Sequence, residues 1–128
     1  MDTLEFRFAF YPRDFKKSLD FYQNVLDIAY ISGWDREDGK GALLSAGGTA
    51  VIEIYGAAQG QTYEGPSPTG LNLALRFEKP SEADAFFQHV ASKGVDRCVP
   101  PQNQVWGQRS FIVYDPDGIP IHFYSELR

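Results

Sequence analysis

The sequence predicts an α+β domain made of two copies of a β-α-β-β-β module. Three observations carry that prediction. Each half opens with a run that alternates apolar and polar residues, each such run leads into an amphipathic helical pattern, and equivalent positions recur at one spacing. Arg7 and Asn72 lie 65 positions apart, as do Ala9 and Ala74, Phe21 and Phe86, Tyr22 and Phe87, Gln23 and Gln88, and Val25 and Val90. A single offset shared by a strand and the helix after it marks a duplication. Glu53 and His122 are 69 apart, so a short insertion separates the later strands of the two halves.

In the first half, Leu4, Phe6, Phe8 and Phe10 alternate with Glu5, Arg7, Ala9 and Tyr11, a strand with one apolar face that Pro12 ends. Asp14 can cap a helix in which Phe15, Leu19, Tyr22, Val25 and Leu26 recur at helical spacing. Residues 28–32 are β-like, and the polar run 34–40 reads as a hairpin tip carrying Trp34. Residues 42–45 and 50–55 follow as two short strands joined around Gly47-Gly48. In the second of them Ile52 and Ile54 face away from Val51, Glu53 and Tyr55. These glycines lack the strand–GxxxxGK–helix context of a phosphate loop and read as turn residues.

Gly, Pro, Gln, Ser and Thr dominate residues 56–70, a connector long for a compact domain, and such loops are often functional. Leu71, Leu73, Leu75 and Phe77 then alternate with Asn72, Ala74 and Arg76. Ser81 with Asp84 resembles a capping box before a helix bearing Ala83, Phe86, Phe87 and Val90, which Lys93-Gly94 closes. Residues 95–100 and a loop with Trp106 lead to a closing hairpin around Asp115-Pro116-Asp117-Gly118. On its return strand Ile121 and Phe123 point one way, His122 and Tyr124 the other. The expected organisation is one domain over 1–128, with modules at about 1–57 and 70–128 and a connector at 58–69.

Composition narrows the function. A net charge of -5 without a Lys/Arg run argues against nucleic-acid or anionic-membrane partners, and no apolar run reaches membrane length. The single cysteine, Cys98, cannot form an internal disulfide, and a cytoplasmic protein is expected. An aromatic content of 15% suits an aromatic core or pocket. A sheet with a helix on one face leaves its other face for a ligand or a second sheet. Two modules can then pair into a curved, barrel-like surface with a cavity.

At this point the chain resembles the vicinal oxygen chelate superfamily, which includes glyoxalase I, extradiol dioxygenases, fosfomycin resistance enzymes and bleomycin resistance proteins. The resemblance rests on Ser18-Leu-Asp-Phe-Tyr-Gln-Asn-Val-Leu, Val51-Ile-Glu-Ile, Trp106-Gly-Gln-Arg and Asp115-Pro-Asp-Gly in that order, and the bleomycin resistance-like branch is nearest. It implies paired βαβββ modules, a cavity and a homodimer. In metal-using relatives four inward positions carry the ligands; here the matching positions hold Arg7, Glu53, Asn72 and His122. Arginine has no lone pair to donate and asparagine is a weak ligand. Only Glu53 and His122 remain as metal donors, fewer than a Zn, Fe or Ni site normally uses, so no metal or other cofactor is expected. Arg7 can instead pair with Glu53 or meet a ligand's oxygen. Trp106 resembles the loop tryptophan that stacks on flat ligands in the bleomycin resistance branch, with Tyr55 and Tyr124 as further ligand contacts.

The expected function is metal-independent binding of a small aromatic or heteroaromatic molecule in a dimeric pocket. The alternative is a lyase, isomerase or dioxygenase-like enzyme of this superfamily in which Glu53 and His122 do acid–base work. A dimeric partner module without chemistry is a third class.

Overall fold

The computed structural model describes residues 1–128, which form two compact units, Met1–Pro68 and Thr69–Arg128. The first contains β1 (Phe6–Phe10), α1 (Phe15–Asp20) continuing as a π-helical turn over Phe21–Val25, β2 (Ala29–Arg36), β3 (Gly39–Ser45) and β4 (Ala50–Gly56). Its sheet runs β1-β4-β3-β2, with β1 parallel to β4 and the other pairs antiparallel. Asp14 starts α1 by accepting a hydrogen bond from the Lys17 amide at 3.0 Å. The helical segment buries Ser18, Phe21, Tyr22 and Leu26 with Phe10, Ala42, Leu44, Ile52 and Ile54. Each large apolar side chain fully buried there contributes about 1.5–3 kcal/mol.

The second unit contains β5 (Leu73–Arg76), α2 (Pro80–Ala91), β6 (Cys98–Asn103), β7 (Gln108–Tyr114) and β8 (Pro120–Glu126). Its strand order is β5-β8-β7-β6, again with the outer β5 parallel to β8. The core is aromatic: Phe111 stacks on Phe123 with centroids 5.0 Å apart, and Phe86 and Phe87 of α2 close on them at 5.0 and 5.3 Å. The closing turn depends on Asp115, which is buried and accepts from the amides of Asp117 and Ile119, both at 2.8 Å. Gly118 takes φ 84° there, a conformation that a side chain disfavours.

The duplication is exact in register. Ala9 lies opposite Glu53 and Ala74 opposite His122; Leu43 pairs with Glu53 and Ile112 with His122. The architecture is the α+β fold of two βαβββ modules expected from the sequence, and each sheet is open. No helix is long and apolar enough to cross a membrane.

Several local expectations need correction. Trp34 is not on a hairpin tip: the β2–β3 ladder extends to Arg36 opposite Gly39, so Trp34 lies within β2. The tip of the hairpin is Glu37-Asp38, so the polar run spans the end of the edge strand β2, the turn and the start of β3. Asn72 lies outside the strand, since the β5–β8 ladder starts at Leu73 opposite Ile121. The next residue back on β8 is Pro120, which has no N–H to extend the ladder. Leu4 and Phe6 are 93% and 69% exposed, so β1 buries its apolar face only toward Phe10. Helix α2 begins at Pro80 rather than after Ser81, and Glu82 accepts from the Lys79 amide at 2.9 Å.

Candidate functional site

In the first unit, pairing puts Arg7, Ala9, Val51, Glu53, Tyr55, Leu43 and Gly41 on the sheet face away from α1. Trp34 joins them through its partner Gly41. Glu53 is buried at 8% exposure, and Arg7 Nη1 stands 3.3 Å from its Oε1. Arg7 Nε also meets Glu5 Oε1 at 2.5 Å. Hydrogen bonds to Glu5 and then Glu53 hold the Arg7 pKa above its ordinary value, so the guanidinium is a fixed cation.

Beyond this pair runs a row of rings. Tyr55 stacks on Tyr11 at 4.9 Å and 29°, Tyr11 stacks on Tyr63 at 4.9 Å and 12°, and Trp34 meets Tyr55 edge-on at 6.5 Å. Burial raises the Tyr55 pKa, and the charge of the neighbouring Glu53 carboxylate and a hydrogen bond to it raise it further, so the hydroxyl stays protonated. Tyr11 was the site residue not singled out from the sequence. The two-residue alternation from Arg7 through Ala9 was its signal.

In the second unit His122 and Tyr124, both half-buried, share the face opposite α2 with Ile112 and Ser110. Ser110 Oγ lies 3.0 Å from Gln104 Nε2. Asn72 is exposed just before β5. Trp106 sits on the β6–β7 turn, 66% exposed, its indole N–H donating to Gln108 Oε1 at 3.1 Å, beside a fully exposed Val105. Arg109 is engaged structurally, with Asp84 at 2.7 Å and Asn103 at 3.0 Å.

A duplicated βαβββ chain with an acidic residue on the open face of the fourth strand defines the structural class. The sequence matches the Glyoxalase/Bleomycin resistance protein/Dioxygenase superfamily over residues 6–123, and the chain belongs to that family. No curated protein matches it. Among solved structures, TnmS3, an antibiotic binding protein from Streptomyces sp. CB03234, is 21% identical with a TM-score of 0.75, over 98% of this chain and 97% of that one. TioX from Micromonospora sp. ML1 is 19% identical with a TM-score of 0.72, over 98% and 100%. Lactoylglutathione lyase from Agrobacterium tumefaciens is 12% identical with a TM-score of 0.70, over 97% and 94%. At these identities the likeness is one of fold.

Taken by itself, the first unit's open face suits a divalent metal ion poorly. Glu53, the one strong donor on the first unit's face, is in contact with a permanent cation that would repel the ion.

Proposed function

We propose that this protein binds a small, flat aromatic or heteroaromatic molecule without a metal, in a pocket completed by homodimerisation. The observation that carries the reading is the Arg7–Glu53 pair beside the ring row of Tyr11, Tyr55 and Trp34. An apolar floor with a few fixed polar groups suits such a ligand, the rings supplying contact area and Arg7 and the Tyr55 hydroxyl its polar edge. In this reading His122, Tyr124 and Asn72 are further ligand contacts, and Trp106 stacks on the ligand. That TnmS3, which shares the fold, is an antibiotic binding protein supports the ligand class. Exposed Phe6, Ile31, Val105 and Trp106 support a second copy as partner, and the free thiol of Cys98 suits a reducing cytoplasm.

The test is elemental analysis of protein purified without a histidine tag, paired with calorimetric screening of planar aromatic compounds before and after chelation. Saturable binding that chelation leaves unchanged is expected. Near-equimolar Zn, Ni or Fe, lost on Glu53→Ala, would overturn the reading in favour of a metal-dependent lyase, isomerase or dioxygenase.

A further inference from the structure

The long connector after β4 gives only Tyr63 to the ring row above, and three contacts hold it in the first unit. Tyr63 stacks on Tyr11, its hydroxyl donates to the Pro66 carbonyl at 3.0 Å, and Arg13 Nε bonds Ser67 Oγ. What the connector encloses is a cleft of about 290 Å³ at the start of α1, lined by Arg13, Lys16, Lys40, Phe15 and Tyr63 among others. Three cations face it against one carboxylate, Asp14, whose Oδ1 already accepts from the Lys17 amide. In a chain of net charge -5 that is a local reversal of sign.

The duplication supplies an internal comparison. Lys40 pairs with Gly56 on β4 as Arg109 pairs with Ser125 on β8, so the two basic residues are equivalent. In the second unit α2 neutralises Arg109 with Asp84 at 2.7 Å. At the 65-residue offset, the first unit has Leu19 in place of Asp84. Lys40 has no carboxylate partner; its ammonium lies 5.0 Å from the Phe15 ring centroid instead. Gly56 makes that position possible: a Cβ there would come within 2.7 Å of Lys40 Cγ and Cε and 3.0 Å of Phe15 Cδ1. Lys16 likewise has no carboxylate partner.

We propose that this cleft is a second ligand site that takes a small aromatic acid. The anionic group, a phosphate or a carboxylate, sits among Lys16, Lys40 and Arg13, and the ring lies against Phe15 and Tyr63. The volume is sufficient: about 290 Å³ is the space of roughly ten waters, enough for one ring with one acid group. A dianionic phosphate gains more from three cations than a carboxylate does. Glu53 and Trp106 do not line it, so the two sites share only the contact between Tyr63 and Tyr11.

The experiment is titration of the full chain with phenyl phosphate, benzoate and neutral phenol, followed by amide NMR shifts and calorimetry. Phenyl phosphate is expected to bind more tightly than benzoate, and phenol not at all, with shifts centred on residues 13–16, 40 and 61–63. Lys40→Met, which keeps the apolar stem, should weaken phenyl phosphate about fivefold, the size of one partly exposed ion pair. Lys16→Met with Lys40→Met should weaken it further, while Glu53→Gln and Trp106→Ala leave it unchanged. The proposal is overturned if no probe saturates by about 10 mM, if phenol competes equally, or if the double variant binds as the parent does. Loss of binding on Glu53→Gln would also overturn it, since the probe would then occupy the other face.

Discussion

Trp106→Ala is the most direct probe of the proposed ligand site. The indole is 66% exposed, and a tryptophan side chain offers roughly 250 Å² of surface, so about 165 Å² is free to be covered. A flat ligand stacked on one face covers about half of that, ~80 Å², worth about 2 kcal/mol at ~25 cal/mol per Å². Truncation should therefore weaken binding of a planar aromatic compound by about 30-fold. The fold should hardly notice: unfolding free energy should stay within about 0.5 kcal/mol of the parent, since the residue sits exposed on a turn. Calorimetry on hits from a planar aromatic library measures the first quantity and urea unfolding the second. Trp34→Phe provides the fluorescence control, leaving Trp106 as the only indole while keeping a ring against Tyr55. Saturable quenching of Trp106 is expected in that variant. If hits bind by calorimetry yet leave both Trp106 emission and Trp106→Ala affinity unchanged, stacking by this residue is refuted and its exposure belongs to a protein contact.

Arg7→His tests the first unit's open face: an imidazole beside Glu53 should create measurable Zn or Ni affinity by calorimetry, and Glu53→Ala in the same chain should abolish it. No gain would mean that the side chain at position 7 does not face Glu53. The raised pKa of Tyr55 means that the folded state keeps its phenolic proton above pH 10.0, where an unperturbed tyrosine loses it. That contribution to stability is intact below pH 10.0 and is lost as pH rises through the folded value. In an ultraviolet titration Tyr55→Phe should remove a tyrosine that ionises above pH 10.0, and removal of an earlier component instead would contradict the effect of burial and of Glu53. Phe111→Ala should destabilise by about 3–5 kcal/mol in urea unfolding, because the ring is fully buried between Phe123 and Phe87. A cost below about 1 kcal/mol would mean that the aromatic core rearranges to fill the space.

By itself the sequence determined what depends on short-range geometry. Alternation with a period of two put Glu53 and Tyr55 opposite Ile52 and Ile54, and His122 and Tyr124 opposite Ile121 and Phe123, since successive strand residues must point to opposite faces. The offsets of 65 and 69 identified the repeat, which the strand registers reproduce residue for residue. Tertiary structure alone decided which distant segments meet. Arg7 and Glu53 touch across 46 positions because β1 lies parallel beside β4, and the row of Tyr11, Tyr55 and Tyr63 draws on β4, the end of β1 and the connector. Trp34 read as a tip because an exposed edge strand is as polar as a loop. The cleft at Lys40 left no local mark, because it depends on an acid present on one helix and missing from the other. Such features follow from packing between segments far apart in the chain, which no window of neighbouring residues encodes.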